Sequence, residues 1–319
     1  MHEMLSDRCL YCYQELTNGE ADFHPKCSRK IFSNPIPPQL EYANDEMLKL
    51  AEKVVQSHAA VPGVQPKLSL GLKALSVGSV PQKLTITGVW GGYILKPPGA
   101  QYPSLPELED LTMHLAAISG IKTVPHTLIR LKSGELAYLT KRIDRKGKQK
   151  FHIEDMCQLT NRMTEAKYRG SYEQIGKAIA KYAQNPGLDI INFFDQVVFC
   201  FLTGNNDMHL KNFSLFKHPE HGYSLSPAYD MVASELIVEG DDEELALTLN
   251  AKKKKIRRKD FEAAMSNFDI HPNAFKNLFK RYQKTIPLWH DFIDISFLPG
   301  KLKKAYHQMI DEKATRIGL

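Results

Sequence analysis

Apolar positions recur along this chain with two periods. Near the front, Met47, Leu50, Ala51, Val54 and Val55 fall on one face of a helix over 46–57. Leu68, Leu70 and Leu72 then alternate with Ser69 and Gly71, which is the period of a strand. Tyr93–Lys96 reads as a short strand that Pro97 and Pro98 terminate. Leu108, Leu111, Leu115 and Ile118 return to the helical period, and Gly120 closes that helix. Leu136–Thr140 reads as a further strand.

Beyond residue 150 the pattern becomes mostly helical. Ser171 can cap a helix carrying Ile175, Ala178, Ile179 and Tyr182, and Asn185-Pro186-Gly187 breaks it. A nearly unbroken apolar run, Ile190 to Leu202, belongs to a helix starting near Asp189. Gly204 stops the run, a dense polar cluster extends from Asn205 to Asn212, and apolar Phe213–Phe216 follows. That order predicts helix, polar loop and short strand. Further on, Leu245, Leu247 and Leu249 alternate toward Asn250, while Phe261, Phe275, Leu278, Phe279, Trp289 and Phe292 are spaced for helical packing.

The polar cluster carries the chemistry. Asp207 and Asn212 stand in an Asp-x4-Asn spacing, the spacing of a protein-kinase catalytic loop, and Asp230 follows in Ser226-Pro227-Ala228-Tyr229-Asp230. Phosphoryl transfer needs three such side chains: a carboxylate to orient the acceptor hydroxyl, and an amide oxygen plus a second carboxylate to hold magnesium on the phosphates. These oxygens are the hard ligands magnesium prefers. His209 and Lys211 lie on the same loop, where Lys211 suits either a transferred phosphoryl group or a structural ion pair. Lys96, at the end of a strand, is placed to reach ATP phosphates or to remain a solvated edge residue. Glu109 is either its partner or an exposed acid in the first turn of a helix. Glu154 and Asp155 support the site or cap a helix.

Composition narrows the class without changing this picture. The chain has 319 residues, 43% hydrophobic and 24% charged, ordinary for a globular protein with ample core. The net charge of +6 suits an acidic partner such as a nucleotide and does not demand nucleic acid. Asn192 and Asp195 interrupt the longest apolar run, and the N-terminus lacks a basic-then-apolar signal pattern, so we expect a cytoplasmic protein with no membrane partner.

Longer stretches carry a resemblance. GNNDMHLKNFSLF followed by LSPAYDMV is similar to the HipA family of bacterial toxin kinases, and VPGVQPKLSL, YILKPP, LPELEDLTMHLA, KRIDR, FHIEDMCQLT and LALTLN agree with it over roughly residues 50 to 270. The chain lacks the N-terminal subdomain of longer members and begins with a Cys/His segment. In this it resembles the HipT kinases of three-component systems, where a separate small protein supplies the missing piece. The resemblance implies an α+β, two-lobed protein-kinase-like fold: a Cys/His segment over 1–34, a β-rich N-lobe over 35–140 and a mainly helical C-lobe over 141–319. It implies a serine/threonine kinase with ATP between the lobes. The phosphate loop would contain Gly63 and Lys67, although an ordinary hairpin turn fits those residues alone. Lys96 would hold phosphate oxygens, backbone near Lys141 and the side chain of Ile143 would receive adenine, and Asp207 would be catalytic. Asn212 and Asp230 would bind Mg2+, with His209 and Lys211 beside them. The implied substrate is an aminoacyl-tRNA synthetase, tryptophanyl by the HipT likeness, and the implied partner is a DNA-binding antitoxin. Where the family carries a regulatory serine this chain has Ala60 and Pro62, which argues against self-inactivation by loop phosphorylation.

Two features stand outside that frame. Cys9-x2-Cys12 and His24-x2-Cys27 have the types and spacing of zinc ligands, or pack simply as a short hairpin. Lys252–Lys259 is a strong basic run that either contacts nucleic-acid phosphates or forms a solvated face; no direct DNA binding is expected. The rival readings are a small-molecule kinase of the antibiotic or sugar kinase type, which shares the Asp-x4-Asn logic, and a non-catalytic nucleic-acid-binding module.

Overall fold

The computed structural model describes residues 7–17, 19–57, 67–74, 82–87, 91–146, 149–218, 220–268 and 270–319. The chain divides into two compact units. The first comprises 1–110, 124–149 and 295–298; the second comprises 111–123, 150–294 and 299–319.

The first unit is built on an antiparallel sheet. Its strands are β1 (Leu68–Ala74), β2 (Gln82–Ile86), β3 (Tyr93–Lys96), β4 (His126–Arg130) and β5 (Leu136–Lys141), in the order β2-β1-β3-β5-β4. The alternation that predicted β1 is visible in its burial, since Leu68 and Leu70 are buried and Ser69 and Gly71 are not. β3 lies in the middle, with Leu68 opposite Leu95 on one side and Lys96 opposite Tyr138 on the other. A central position pairs both edges of a strand, and Lys96 at its end is buried. Helices α1 (Pro25–Phe32) and α2 (Asn44–Ser57) accompany the sheet. α3 (Leu105–Ile118) begins in this unit and ends in the second, and Gly120 beyond it takes φ +84°, the left-handed turn that stops a helix. The short strands β6 (Arg145–Lys146) and β7 (Gln149–Lys150) form a separate ribbon.

The second unit is mainly helical. A three-stranded sheet, β8 (Ile153–Asp155), β9 (Ser214–His218) and β10 (Gly222–Leu225), carries β9 in its centre. Helices α4 (Met156–Leu159), α5 (Tyr172–Tyr182), α6 (Pro186–Leu202), α7 (Arg258–Ser266), α8 (Pro272–Asp294) and α9 (Gly300–Arg316) make up the rest. Ser171 caps α5 as the sequence suggested, in a reciprocal capping box with Gln174. Asn185-Pro186-Gly187 ends α5 but also starts α6, with Pro186 in the first turn, where its missing N–H costs nothing.

α6 is apolar on every side because it is buried on every side, from Phe193 to Leu202. Aromatic side chains from neighbouring elements meet it edge-on: Trp289 against Phe199 at 5.5 Å, Phe261 against Phe201 at 5.6 Å and Phe213 against Phe193 at 5.1 Å. Asp195, the acid within the run, is satisfied from α8 by Arg281 and by the Tyr282 hydroxyl at 2.7 Å. The alternating Leu245, Leu247 and Leu249 are buried, but their segment joins no regular strand; its backbone makes isolated bridges, Thr248 with Ser171 and Leu249 with Lys252.

Candidate active site

The polar loop begins where α6 runs out. Thr203 turns its hydroxyl back to the Phe199 carbonyl at 2.8 Å, and Gly204 takes φ +63°. A Cβ at Gly204 would collide with the Met309 sulfur, so this turn requires glycine on conformational and steric grounds. Asn206 is buried. Its amide nitrogen donates to Asp241 at 3.0 Å and to the Glu243 carbonyl at 3.2 Å, and its N–H donates to Ser234 Oγ at 3.1 Å. These bonds pin the backbone from which Asp207 projects.

Asp207 is exposed, and its Oδ1 accepts the Tyr168 hydroxyl at 2.5 Å. Asn212 is buried at the end of a short 3-10 turn, Leu210–Asn212, where its side-chain oxygen accepts the His209 N–H at 3.2 Å. That donor decides which way the amide points. The His209 ring is buried, edge-on to Tyr168 at 5.0 Å. Burial pushes its imidazole down to about 4, so it is neutral at physiological pH. The negative charges of Asp207 and Asp230 act on that ring in the opposite direction.

Asp230 reaches this position after β10. The Ala228 N–H donates to the Lys122 carbonyl at 2.8 Å, and the Tyr229 hydroxyl donates to the Lys211 carbonyl at 3.0 Å. Asp230 itself adopts φ +54°. Aspartate tolerates this left-handed region better than most residues, and held strain of this kind, about 1–3 kcal/mol, concentrates at functional sites. Lys211 is half-buried and lies 2.8 Å from Asp155 Oδ2, while Asp155 Oδ1 accepts the Gln158 N–H at 3.0 Å and caps α4. Asp155 therefore serves as both a helix cap and the partner of a loop cation.

In the first unit, Lys96 Nζ lies 2.6 Å from Glu109 Oε1, with side chains only 10% and 2% exposed. Glu109 is thus the lysine's partner and not a solvated helix-end acid. Lys96 also stands 5.5 Å over the Tyr138 ring. The neighbouring Asp110 accepts the Tyr13 hydroxyl at 2.7 Å and meets His126 Nδ1 at 2.7 Å. Lys141 and Ile143 lie at the end of β5 and just beyond it; the Lys141 N–H is engaged by the Pro125 carbonyl at 2.8 Å, and Ile143 is half-exposed. Lys67 is exposed. Gly63, with Ala60 and Pro62, lies outside the described residues.

Four of the seven cations in the basic run have an acidic partner among the described residues. Lys252 pairs with Asp260 at 2.7 Å, Lys253 with Glu243 at 2.8 Å, Lys254 with Asp242, and Arg258 with Glu262 at 3.1 Å. Lys255, Arg257 and Lys259 of the same run are exposed. Sequence reasoning missed Tyr168 and Tyr229. Tyr229 was within reach, being adjacent to Asp230, whereas Tyr168 sits in an aperiodic stretch after the 3-10 turn Thr164–Ala166 and carries no local signal.

Comparison with known proteins places these arrangements in a family. A putative kinase of Sinorhizobium fredii is 33% identical over 195 residues, which are 57% of this chain and 47% of the relative. A putative kinase of Haemophilus influenzae is 32% identical over 209 residues, 61% of this chain and 58% of the relative. The serine/threonine-protein kinase toxin HipA of Shewanella oneidensis is 27% identical over 212 residues, 60% of this chain and 46% of that protein. The chain thus spans about half the length of the curated relatives it matches. Among solved structures, the Shewanella oneidensis complex of HipA, HipB and operator DNA aligns with TM-score 0.66 at 22% identity, covering 84% of this chain and 70% of that one. The Helicobacter pylori proinflammatory kinase CtkA aligns with TM-score 0.51 at 19% identity, covering 70% of this chain and 87% of that one. At these identities both likenesses speak for the fold, which is α+β and kinase-like. The HipA-like C-terminal domain profile matches residues 59–289, well over half of the chain, and the chain belongs to that family.

Proposed function

We propose that this chain is an ATP-dependent serine/threonine protein kinase. The observation that carries the reading is the loop of the second unit, where a pinned backbone presents Asp207 to solvent and Asn212, five residues on, is fixed by the His209 N–H. Phosphoryl transfer asks little covalent chemistry of a protein and much positioning. Asp207 orients the acceptor hydroxyl and accepts its proton. Its Oδ1 already accepts a hydroxyl hydrogen from Tyr168, the same kind of bond a substrate serine would make.

The donor set fits magnesium. Asn212 Oδ1 has a lone pair left beside the bond from His209, and Asp230 adds a carboxylate. Bound there, the ion would neutralise charge on the phosphates. The neutral His209 adds no competing cation to the loop. Lys96, fixed by Glu109, is the phosphate lysine of the first unit, and Lys211 is near enough to the loop to leave Asp155 for a transferred phosphoryl group.

The family resemblance supports an aminoacyl-tRNA synthetase as the protein substrate, and the HipT likeness supports the tryptophanyl enzyme. Its phosphorylation would block charging and arrest growth. The Shewanella neighbour is a complex with HipB and operator DNA, which supports a DNA-binding antitoxin as partner here. No helix among the described residues is long and apolar enough to cross a membrane.

The test is to incubate the chain with labelled ATP, magnesium and bacterial extract and to identify the labelled product. We expect a labelled protein, label that depends on magnesium, and its loss in Asp230→Asn. Label in a small molecule alone would favour the small-molecule kinase, and the absence of any ATP turnover would reject the reading.

A further inference from the structure

We propose that Cys9, Cys12, His24 and Cys27 form a structural zinc site in the first unit. Their ligand atoms, three sulfurs and one imidazole nitrogen, all lie within 4.8 Å of one another. Zinc takes such a set tetrahedrally, at about 2.3 Å to sulfur and 2.0–2.1 Å to nitrogen. Those bond lengths put sulfur and nitrogen about 3.5 Å apart across a tetrahedron, and two sulfurs about 3.8 Å apart. Cys12 Sγ stands 3.4 Å from His24 Nδ1, and Cys27 Sγ stands 3.8 Å from it. The side chains already have nearly the spacing that a metal would impose.

The backbone prepares this arrangement. Cys9 to Cys12 is a tight turn, closed by the Tyr13 N–H on the Cys9 carbonyl at 2.9 Å and the Cys9 N–H on the Gln14 carbonyl at 2.9 Å. Tyr13 completes the turn at φ +62°. His24 stands at the start of α1, and Cys27 lies in the first turns of that helix. His24 makes no side-chain capping bond there. Its ring is directed to the sulfurs instead, and behind it Nε2 lies 3.0 Å from the Glu15 carbonyl. A carbonyl only accepts, so Nε2 carries the proton and Nδ1 presents its lone pair to the thiols. Fixing a ligating imidazole from behind in this way is how proteins orient histidine toward a metal.

This orientation separates a metal site from thiols that merely pack. Packed side chains do not require one histidine tautomer held from behind, nor three sulfurs converging on one nitrogen. A disulfide would use two of the three sulfurs and leave the histidine without a task; all five cysteines are free. With four protein ligands the site has no open position, which makes it structural.

Its effect on the unit follows from what hangs on the turn. The Leu10 carbonyl accepts the Leu128 N–H at 3.3 Å and the Thr127 hydroxyl at 3.1 Å. The Tyr13 hydroxyl binds Asp110, next in sequence to the Glu109 that holds Lys96. Zinc would therefore steady the start of α3 by fixing the turn against which it is bonded.

The experiment is elemental analysis of the full untagged chain, together with cobalt(II) replacement. We expect about one zinc per chain and the intense visible absorption of tetrahedral, thiolate-bound cobalt. Cys12→Ser and Cys27→Ser together should abolish both, whereas Cys157→Ser, a thiol outside the cluster, should retain both. Chelation of the wild-type chain should lower its melting temperature, and zinc, but not magnesium, should restore it; this keeps the test valid if the double variant fails to fold. A wild-type chain with no zinc and no tetrahedral cobalt spectrum overturns the proposal, as does a double variant that keeps its zinc.

Discussion

Two lysine–carboxylate pairs in this molecule look alike on paper and differ physically. Lys96–Glu109 is buried, at 2.6 Å with side chains 10% and 2% exposed; Lys211–Asp155 is 2.8 Å apart with 37% and 15% exposed. A buried charge left without its partner is costly, so the first pair is in effect permanent. The second sits in a medium where water replaces a lost partner at little cost, so Lys211 is free to exchange Asp155 for another anion. The same loop holds Asp207 with a phenol and no ion pair among the described residues. Lys96 is thus a fixed charge, and the loop of Asp207 and Lys211 carries exchangeable ones.

That contrast can be broken at four places. Asp207→Asn, on the exchangeable side, should lower turnover roughly 10²–10⁴-fold while leaving the melting temperature almost unchanged, because an exposed acid contributes little to stability. Steady-state kinetics beside a thermal scan checks both halves, and near-normal turnover would remove Asp207 from the catalytic role. Lys96→Met should cost about 3–5 kcal/mol in denaturant unfolding, because buried Glu109 loses the cation 2.6 Å away. Adding Glu109→Leu should restore most of that stability without restoring activity; no recovery would mean that the pair is not the source of the loss.

His209 sharpens the comparison through pH. Its folded value, about 4, lies below its ordinary 6.5, so the neutral ring contributes stability that is present above pH 6.5 and fades as pH falls toward 4. The span corresponds to roughly 3 kcal/mol. Melting curves from pH 7 to 4 should show a shallower acid decline in His209→Gln than in the wild type, and parallel curves would contradict the assignment. The smallest effect belongs to Lys211→Met, which should change stability by no more than about 1 kcal/mol. A loss comparable with that of Lys96→Met would show that the two pairs are not different in kind.

Much of this was legible in the chain. The order of helix, polar loop and short strand around Asp207 and Asn212 was legible, because local order survives in sequence. Ser171 and Asp155 were legible as caps for the same reason. Burial of the Lys96–Glu109 pair was not, since it depends on β3 taking the centre of its sheet, and strand order is a long-range property. Tyr168 reaches Asp207 across 39 positions. The basic run read as a patch because its neutralising acids, Asp242 and Glu243, lie across a turn of buried leucines that resembles a strand in period but forms no ladder.

One detail of the chain path bears on the life of the protein before it works. Residues 295–298 belong to the first unit, where Arg8 donates to the Ile295 carbonyl at 2.7 Å and Tyr13 stacks edge-on with Phe297 at 4.8 Å. A ribosome adding 5–20 residues per second needs roughly 15–60 s to pass from Tyr13 to Phe297. Throughout that interval the first unit waits, with an aromatic contact missing, for almost the last helix to be made. Its last contacts therefore form only when most of the chain has been made.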